Sequence, residues 1–156
     1  TNEQKELAQL IADLGADVII GMHPHVIQPM TWLTGTSGNK TLVTYSIGNL
    51  LSTMLHIYNN VGGILSFDVV KDKSGNVYVD APYLLPVVCH YTADPSVIDS
   101  LGYASRSELA LYMLEDYTSE LASNHGSKIY DSFTLDTIYG YVTDTIAPEF
   151  LPDYLK

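Results

Sequence analysis

The spacing of apolar residues predicts a helix at the start of the chain, followed directly by a strand. Between residues 2 and 14 the apolar side chains recur at helical spacing and form one stripe, which consists of Leu7, Leu10, Ile11 and Leu14. Thr1 and Gln4 match a capping box, and Gly15 suits the end of the helix. The apolar run 17–21 is typical of a strand covered on both faces. Helix, turn and strand predict the second half of a βαβ unit, whose first strand would precede Thr1.

Three further strands are predicted in the middle of the chain. They cover residues 41–51, 61–71 and 76–88. The first runs into a loop at Gly48-Asn49, and residues 35–40 form a turn cluster before it. Pro82 and Pro86 mark the last strand as an edge strand or a bulged one. Together with the first strand, this pattern predicts an α/β fold with a mixed sheet of about four strands.

The last third of the chain has helical spacing. Ser105 and Glu108 match a capping box, and the apolar residues that follow keep helical spacing up to Gly126; they are Ala110, Met113, Leu114, Tyr117 and Leu121. A second helix is predicted over residues 134–146, before Pro148. The sequence therefore predicts that helices make up most of this third.

Charge divides the chain into two segments and excludes two classes of partner. The net charge is -11, from 18 acidic and 7 basic residues. Residues 1–93 hold seven acidic and four basic side chains, whereas residues 94–156 hold eleven acidic and three basic ones. We therefore predict a first unit over 1–93 and an acidic, tyrosine-rich helical extension over 94–156 that packs on it. Such a negative surface repels phosphate backbones and anionic lipid headgroups, so we expect no nucleic-acid binding and no docking on membranes.

Other features bear on the origin of the chain. Cys89 is its single cysteine, which excludes an internal disulfide and a four-cysteine zinc site. No signal peptide and no apolar run of membrane-spanning length is visible, so we expect no anchor within this chain. Because it begins at Thr1 in a predicted helix and without a methionine, we interpret it as a segment of a longer protein.

The chemistry of the chain centres on Gly21-Met22-His23-Pro24-His25, directly after the first predicted strand. Two histidines one residue apart in an extended loop project to the same side, and Pro24 pushes His23 toward extended geometry. Ligands and metals bind at the carboxyl ends of strands in open α/β sheets, and imidazole suits several divalent metals. These residues are either metal ligands or loop histidines that bond the backbone. The separate His56, His90 and His125 are expected to be exposed or hydrogen-bonded.

Three segments resemble one family. They are GADVIIGMHPHVIQPM, VTYSIGNLL and GGILSFDV, and in this order they are similar to the C-terminal part of bacterial poly-gamma-glutamate capsule-synthesis proteins, the CapA or PGA_cap family. The resemblance covers residues 1–90. Two departures stand out: Met22 replaces a histidine that the family usually has, and Leu50-Leu51 replaces an aromatic residue.

The resemblance implies the C-terminal half of a calcineurin-like metallophosphoesterase αββα sandwich with a divalent metal centre of manganese, zinc or iron. It implies that His23 and His25 are metal ligands and catalytic residues. Asn49 would support catalysis as a carbonyl ligand or by holding a histidine, and Gln28 and Ser46 would bind substrate. The family's remaining ligands have no counterpart in this chain, so we expect metal binding by this chain alone to be weak or absent.

Three hypotheses on function remain open at this stage. The longer protein is a metal-dependent hydrolase of capsule synthesis at the bacterial cell envelope, and it acts on an anionic polymer or a phosphate ester. Alternatively, the chain is an inactive binding or scaffold module of an anionic-polymer assembly. In the third hypothesis it is an incomplete fragment that forms homo-oligomers through the exposed sheet edge at residues 17–21. Whether this chain is itself an enzyme is left open.

Overall fold

The computed structural model describes residues 1–156 and contains two three-stranded sheets. The strands are β1 (Val18–Ile20), β2 (Ile27–Thr34), β3 (Lys40–Ile47), β4 (Val61–Lys71), β5 (Val77–Ile98) and β6 (Ala104–Met113), and the helices are α1 (Asn2–Asp13), α2 (Ser119–Asn124) and α3 (Leu135–Thr145). The α/β class is confirmed, but the single mixed sheet of about four strands is wrong. None of the helices has the length and apolarity needed to cross a membrane.

The first sheet has the strand order β1-β3-β2, with β1 parallel and β2 antiparallel to β3. β1 is therefore an edge strand, and its residues are at most partly buried. Val18 packs against the core, whereas Ile20 is 51% exposed. The prediction that this strand is covered on both faces is wrong, because none of its side chains is fully buried and Ile20 is exposed.

Helix α1 begins and ends as predicted. The Thr1 hydroxyl accepts a hydrogen bond from the Gln4 backbone N–H (3.2 Å), which with the reciprocal bond of 2.7 Å forms the capping box. The helix buries Ala8 and Ala12 rather than its leucine stripe. Three leucines of that stripe face solvent, namely Leu7, Leu10 and Leu14. An apolar surface of α1 is thus exposed.

Strand β2 was not predicted from the sequence. This strand forms a hairpin with β3 through the predicted turn at residues 35–39, in which Gly38 has φ +84°. Pro29 interrupts the strand pattern in the sequence, but β2 lies at the second edge of the sheet, where a residue without an N–H can be accommodated. The hairpin returns the chain to β3 and places the residues after β3 beside the histidine segment.

The second sheet is antiparallel, with the order β4-β5-β6. Two residues of β5, Ala81 and Pro82, lie opposite the single Phe67 of β4, so the predicted bulge is confirmed. Residues 77–86 of β5 pair with β4 alone, so this part of the strand is also an edge, as predicted, whereas from Val87 onward β5 is the central strand. Pro86 lies one residue before the pairing of β5 with β6 begins. A bridge between Gly48 and Gly62 joins this sheet to the end of β3.

The helix predicted over residues 105–126 is wrong. Residues 104–113 form β6, and only the short α2 within the predicted range is α-helical. Before β6, the Asp99 carboxylate accepts two backbone N–H groups of a tight turn (2.8 and 2.9 Å), and Gly102 adopts φ +86°. This turn returns the chain along β5, and pairing with that strand outweighs the helical spacing of the side chains.

One core joins both ends of the chain. The helix predicted over residues 134–146 is confirmed as α3, with Thr134 as its N-cap. Sixteen buried residues from both sheets and from the C-terminal helices form the core. They include Ile27, Met30, Leu42, Val61, Leu84, Leu114, Phe133, Ile138, Val142 and Phe150. Strand β5 continues past residue 93, and the division of the chain at that residue stays a prediction.

Candidate functional site

Gly21 sets the position of the histidine segment at the carboxyl end of β1. Its backbone N–H donates to the Thr44 carbonyl of β3 (2.7 Å). A Cβ at this position would lie 2.2 Å from the carbonyl oxygen of Tyr45. Because that oxygen belongs to the backbone of a paired strand, it cannot move aside, and only glycine fits. The close approach of the two strands therefore fixes the point at which the chain leaves β1.

His23 and His25 both have left-handed backbone conformations, with φ of +100° and +59°. The predicted extended geometry is therefore wrong. Such angles are uncommon for residues other than glycine, and they persist where surrounding contacts impose them. The two rings are exposed, and their centroids lie 6.1 Å apart with a tilt of 41°. The structure thus brings both imidazoles to one accessible corner.

Asn49 joins this corner from the loop after β3. Its Oδ1 lies 2.8 Å from Nδ1 of His25. Its Nδ2 donates to the Asn59 carbonyl (2.8 Å) and lies 3.4 Å from the His25 carbonyl. Gly48, with φ +71°, makes the turn that brings Asn49 here. The structure therefore assembles His23, His25 and Asn49, as the resemblance implied.

Gln28 and Ser46 face each other across β2 and β3, but their side chains already have partners. The Gln28 Oε1 accepts from Nε2 of Gln4 (3.0 Å). The Ser46 hydroxyl is buried and accepts from the Gly48 N–H at 3.3 Å. The substrate-binding role of both residues stays a prediction, and Ser46 would reach a ligand only after a local rearrangement.

The side chains at this corner are too few to form a complete metal site. Nowhere in the structure do three or more His, Cys, Asp or Glu side chains come together in a cluster that could hold a metal ion. His23 and His25 supply two imidazoles, and Asn49 adds a neutral oxygen that already faces His25. Catalytic zinc sites use three protein ligands, so the donors present fit part of a divalent metal site and not a whole one.

Asn59 belongs to the same corner and was not predicted from the sequence. Its Nδ2 donates to the His25 carbonyl (3.0 Å), and its own carbonyl accepts from Asn49. Asn59 lies in the turn Ile57–Asn60, directly before β4. No recognisable motif contains it, and the only available signal is its position at the start of a predicted strand.

His90 and His125 form a second, buried cluster on the other side of the loop 49–60. Their ring centroids lie 5.1 Å apart. His90 Nδ1 lies 2.8 Å from the Tyr117 hydroxyl, while His125 Nε2 bonds the Cys89 carbonyl (3.0 Å) and its Nδ1 accepts the Ser127 N–H (2.9 Å). Both are hydrogen-bonded, as predicted. Burial lowers the pKa of His125 to about 4 and also lowers the pKa of His90. Both rings are therefore neutral at pH 7.

His56 is exposed, which is one of the two outcomes predicted for it. Its Nδ1 lies 2.9 Å from the Asp131 carboxylate, whose second oxygen accepts the Ile57 N–H at 2.8 Å. This contact ties the loop 49–60 to the C-terminal segment, and it lies outside the corner formed by His23, His25 and Asn49.

Comparison with known proteins agrees with the resemblance found in the sequence. Residues 1–54 match the family model described as bacterial capsule synthesis protein PGA_cap. The chain is also similar to a protein of Bacillus subtilis (strain 168) named PGA biosynthesis protein CapA, with 30% identity over 78 residues. That alignment covers 50% of this chain and 19% of the relative's length. No solved structure matches. Residues 1–54, which hold the first two of the three segments, are therefore similar to the PGA_cap family, and the resemblance inferred from the sequence is confirmed over this range.

Proposed function

We propose that this chain is part of a protein of capsule biosynthesis, of the poly-gamma-glutamate type, with a calcineurin-like metallophosphoesterase fold and a hydrolase-like role. The observation that carries the proposal is the corner at the ends of β1 and β3, where Asn49 lies 2.8 Å from His25. The family match over residues 1–54 supports the pathway. Because the capsule lies outside the cell, a protein that acts on its polymer would be located at the bacterial cell envelope. Its substrate class is an anionic polymer or a phosphate ester.

In this proposal His23 and His25 are two ligands of a divalent metal such as manganese, zinc or iron, and the other ligands come from residues outside this chain. A bound metal would polarise the bond to be cleaved and offset the repulsion between an anionic substrate and a chain of net charge -11. The chain's own contribution is to hold the His25 ring through its Nδ1, which leaves Nε2 to bind the metal.

The test is metal analysis of the full-length protein that carries this chain. We expect His23→Ala and His25→Ala each to lower bound manganese, zinc or iron at least tenfold, since each removes a ligand. His56→Ala is the matched control, because His56 is also exposed but lies outside the corner. Unchanged metal content and activity in both corner variants would refute the metal role.

A second candidate is an inactive binding or scaffold module of an anionic-polymer assembly. The observations in its favour are the absence of a three-ligand cluster and Met22, which is 63% exposed where the family usually has a histidine. We expect this chain in isolation to bind neither Mn²⁺ nor Zn²⁺ in titration calorimetry and to leave a model phosphodiester intact. Tight binding of either metal by the isolated chain would contradict the scaffold hypothesis.

A homo-oligomer through the sheet edge is a third candidate. The observations that favour it are the unpaired edge of β1 and the exposed Leu7, Leu10 and Leu14 of α1. An unpaired apolar strand is a template for pairing with another chain. Sedimentation would then show dimers that Ile20→Lys abolishes, because the lysine lies on the pairing strand. A clean monomer at high concentration would exclude this assembly.

A further inference from the structure

We propose that Asn59 is a positioning residue that fixes the orientation and the tautomer of His25. The inference starts from two hydrogen bonds that converge on one turn. The Asn59 side-chain amide donates to the His25 carbonyl (3.0 Å), and the Asn59 backbone carbonyl accepts from the Asn49 side-chain amide (2.8 Å). Asn59 thus contacts both members of the His25–Asn49 pair without touching either ring nitrogen.

The bond from Asn49 to Asn59 decides which end of the Asn49 amide faces His25. Only the NH₂ end can donate to a carbonyl, so Nδ2 is committed to Asn59. The atom 2.8 Å from His25 Nδ1 is therefore Oδ1, which can only accept. Consequently Nδ1 carries the proton, and Nε2 keeps its lone pair for a ligand or a proton.

The second bond of Asn59 holds a strained peptide. His25 has φ +59°. In this conformation its carbonyl faces the loop 49–60. The Asn59 amide satisfies that carbonyl directly, with the Asn49 amide at a longer 3.4 Å. Since left-handed conformations of this kind persist only where contacts impose them, the Asn59 side chain is the contact that holds His25 in place.

Asn59 itself lies on a fixed support. The neighbouring Asn60 is buried, and its amide donates to the Met54 and His56 carbonyls (2.8 and 2.9 Å). The Ile57 N–H is held by the Asp131 carboxylate (2.8 Å). The C-terminal segment therefore braces the turn from which Asn59 reaches the corner, and this gives that segment a role in the site.

The first test reads the tautomer by nitrogen-resolved NMR of the histidine side chains in this chain. At pH 8 free imidazole is neutral, and we expect His25 in the Nδ1–H form. Asn59→Ala keeps the backbone carbonyl that accepts from Asn49 but removes the side-chain bond to the His25 carbonyl. The His25 ring can then move away from Asn49, and we expect a mixture in which the Nε2–H form rises to a major share. Asn76→Ala is the matched control, because Asn76 lies in the distant turn before β5 and bonds only Asp72. An Nε2–H tautomer in the wild type, or no change in Asn59→Ala, would overturn the proposal.

A second variant covers the case in which Asn59→Ala fails to fold. Asn59→Asp keeps the size of the side chain, but its carboxylate cannot donate to the His25 carbonyl, so we expect the same rise of the Nε2–H form. An unchanged Nδ1–H form in a folded Asn59→Asp would count against the proposal.

The relevance of this tautomer to metal binding rests on the proposed function. Zn²⁺ titration distinguishes failure of the positioning role from failure of metal binding by the chain. If the wild-type chain binds Zn²⁺, we expect Asn59→Ala to weaken the Zn²⁺ affinity about tenfold or more, because substitutions of residues that hold a metal ligand have effects of this size. Asn76→Ala should leave the affinity unchanged. Equal Zn²⁺ affinity in wild type and Asn59→Ala would refute the positioning role. Should the wild type bind no Zn²⁺, metal binding by this chain alone fails, while the tautomer measurement still decides the role of Asn59.

Discussion

At the scale of single residues, Gly21 shows how strongly backbone packing restricts one position. We expect Gly21→Ala to lower the free energy of unfolding by about 1–3 kcal/mol, because the new Cβ would lie 2.2 Å from the Tyr45 carbonyl oxygen. Gly140→Ala is the matched control: Gly140 lies inside α3 with no atom near its missing Cβ, so alanine there should raise stability by about 0.5–1 kcal/mol. Urea unfolding measures both, and equal effects of the two substitutions would contradict this reading of Gly21.

Three residues of the corner were predictable, but Asn59 and the conformations of the two histidines were not. His23, His25 and Asn49 stand out because each follows a strand in a recognisable motif. Their backbone angles depend on contacts made far along the chain. The carbonyl of His25 is bonded by Asn59, which is 34 residues away, and local rules for Pro24 predicted the opposite geometry for His23. Motifs identify which residues meet, whereas long-range hydrogen bonds decide how they are held.

At the scale of elements, α3 was predictable because its signals are local. Thr134 accepts the Thr137 N–H (3.2 Å) as N-cap. We therefore expect Thr134→Ala to cost about 1 kcal/mol of stability in urea unfolding. Thr143→Ala is the control, since this exposed threonine on the same helix only bonds back to preceding carbonyls, and its loss should change stability by less than about 0.5 kcal/mol. A cap substitution no more costly than the control would show that the capping bond contributes little.

Strand β6 was mispredicted because its stabilising contacts are not local. Residues 104–113 carry apolar side chains at helical spacing, but their backbone pairs with β5 from Val87 to Ile98. That pairing depends on the turn at Asp99 and on the length of β5, which pairs with both β4 and β6. Neither feature can be recognised from residues 104–113 alone. β2 was missed for a related reason, since its edge position is what makes Pro29 acceptable.

At the scale of the whole molecule, the buried histidine cluster couples the C-terminal segment to β5 and makes stability depend on pH. His125 bonds the Cys89 carbonyl and packs within 4.8 Å of the Tyr91 ring and 5.8 Å of the Phe133 ring, centroid to centroid. Burial lowers its pKa to about 4 in the folded chain, against about 6.5 in the unfolded chain. The unfolded chain therefore binds more protons between these values.

Stability should accordingly be complete above pH 6.5 and fall as the pH drops from 6.5 toward 4, by on the order of 3 kcal/mol from His125. His90 adds to the loss in the same direction, since burial lowers its pKa too. The carboxylates whose pKa values are lowered, Asp72, Asp94, Asp99 and Asp153, titrate below this window.

Urea unfolding between pH 7.5 and 4.5 measures the slope, and NMR should show a neutral His125 ring at pH 5.5. His125→Asn should flatten the slope, whereas His56→Asn should keep it because His56 is exposed. A folded chain with a protonated His125 at pH 5.5 would show that burial does not hold this ring neutral, and the C-terminal segment would then tolerate acid without loss of its contacts to β5.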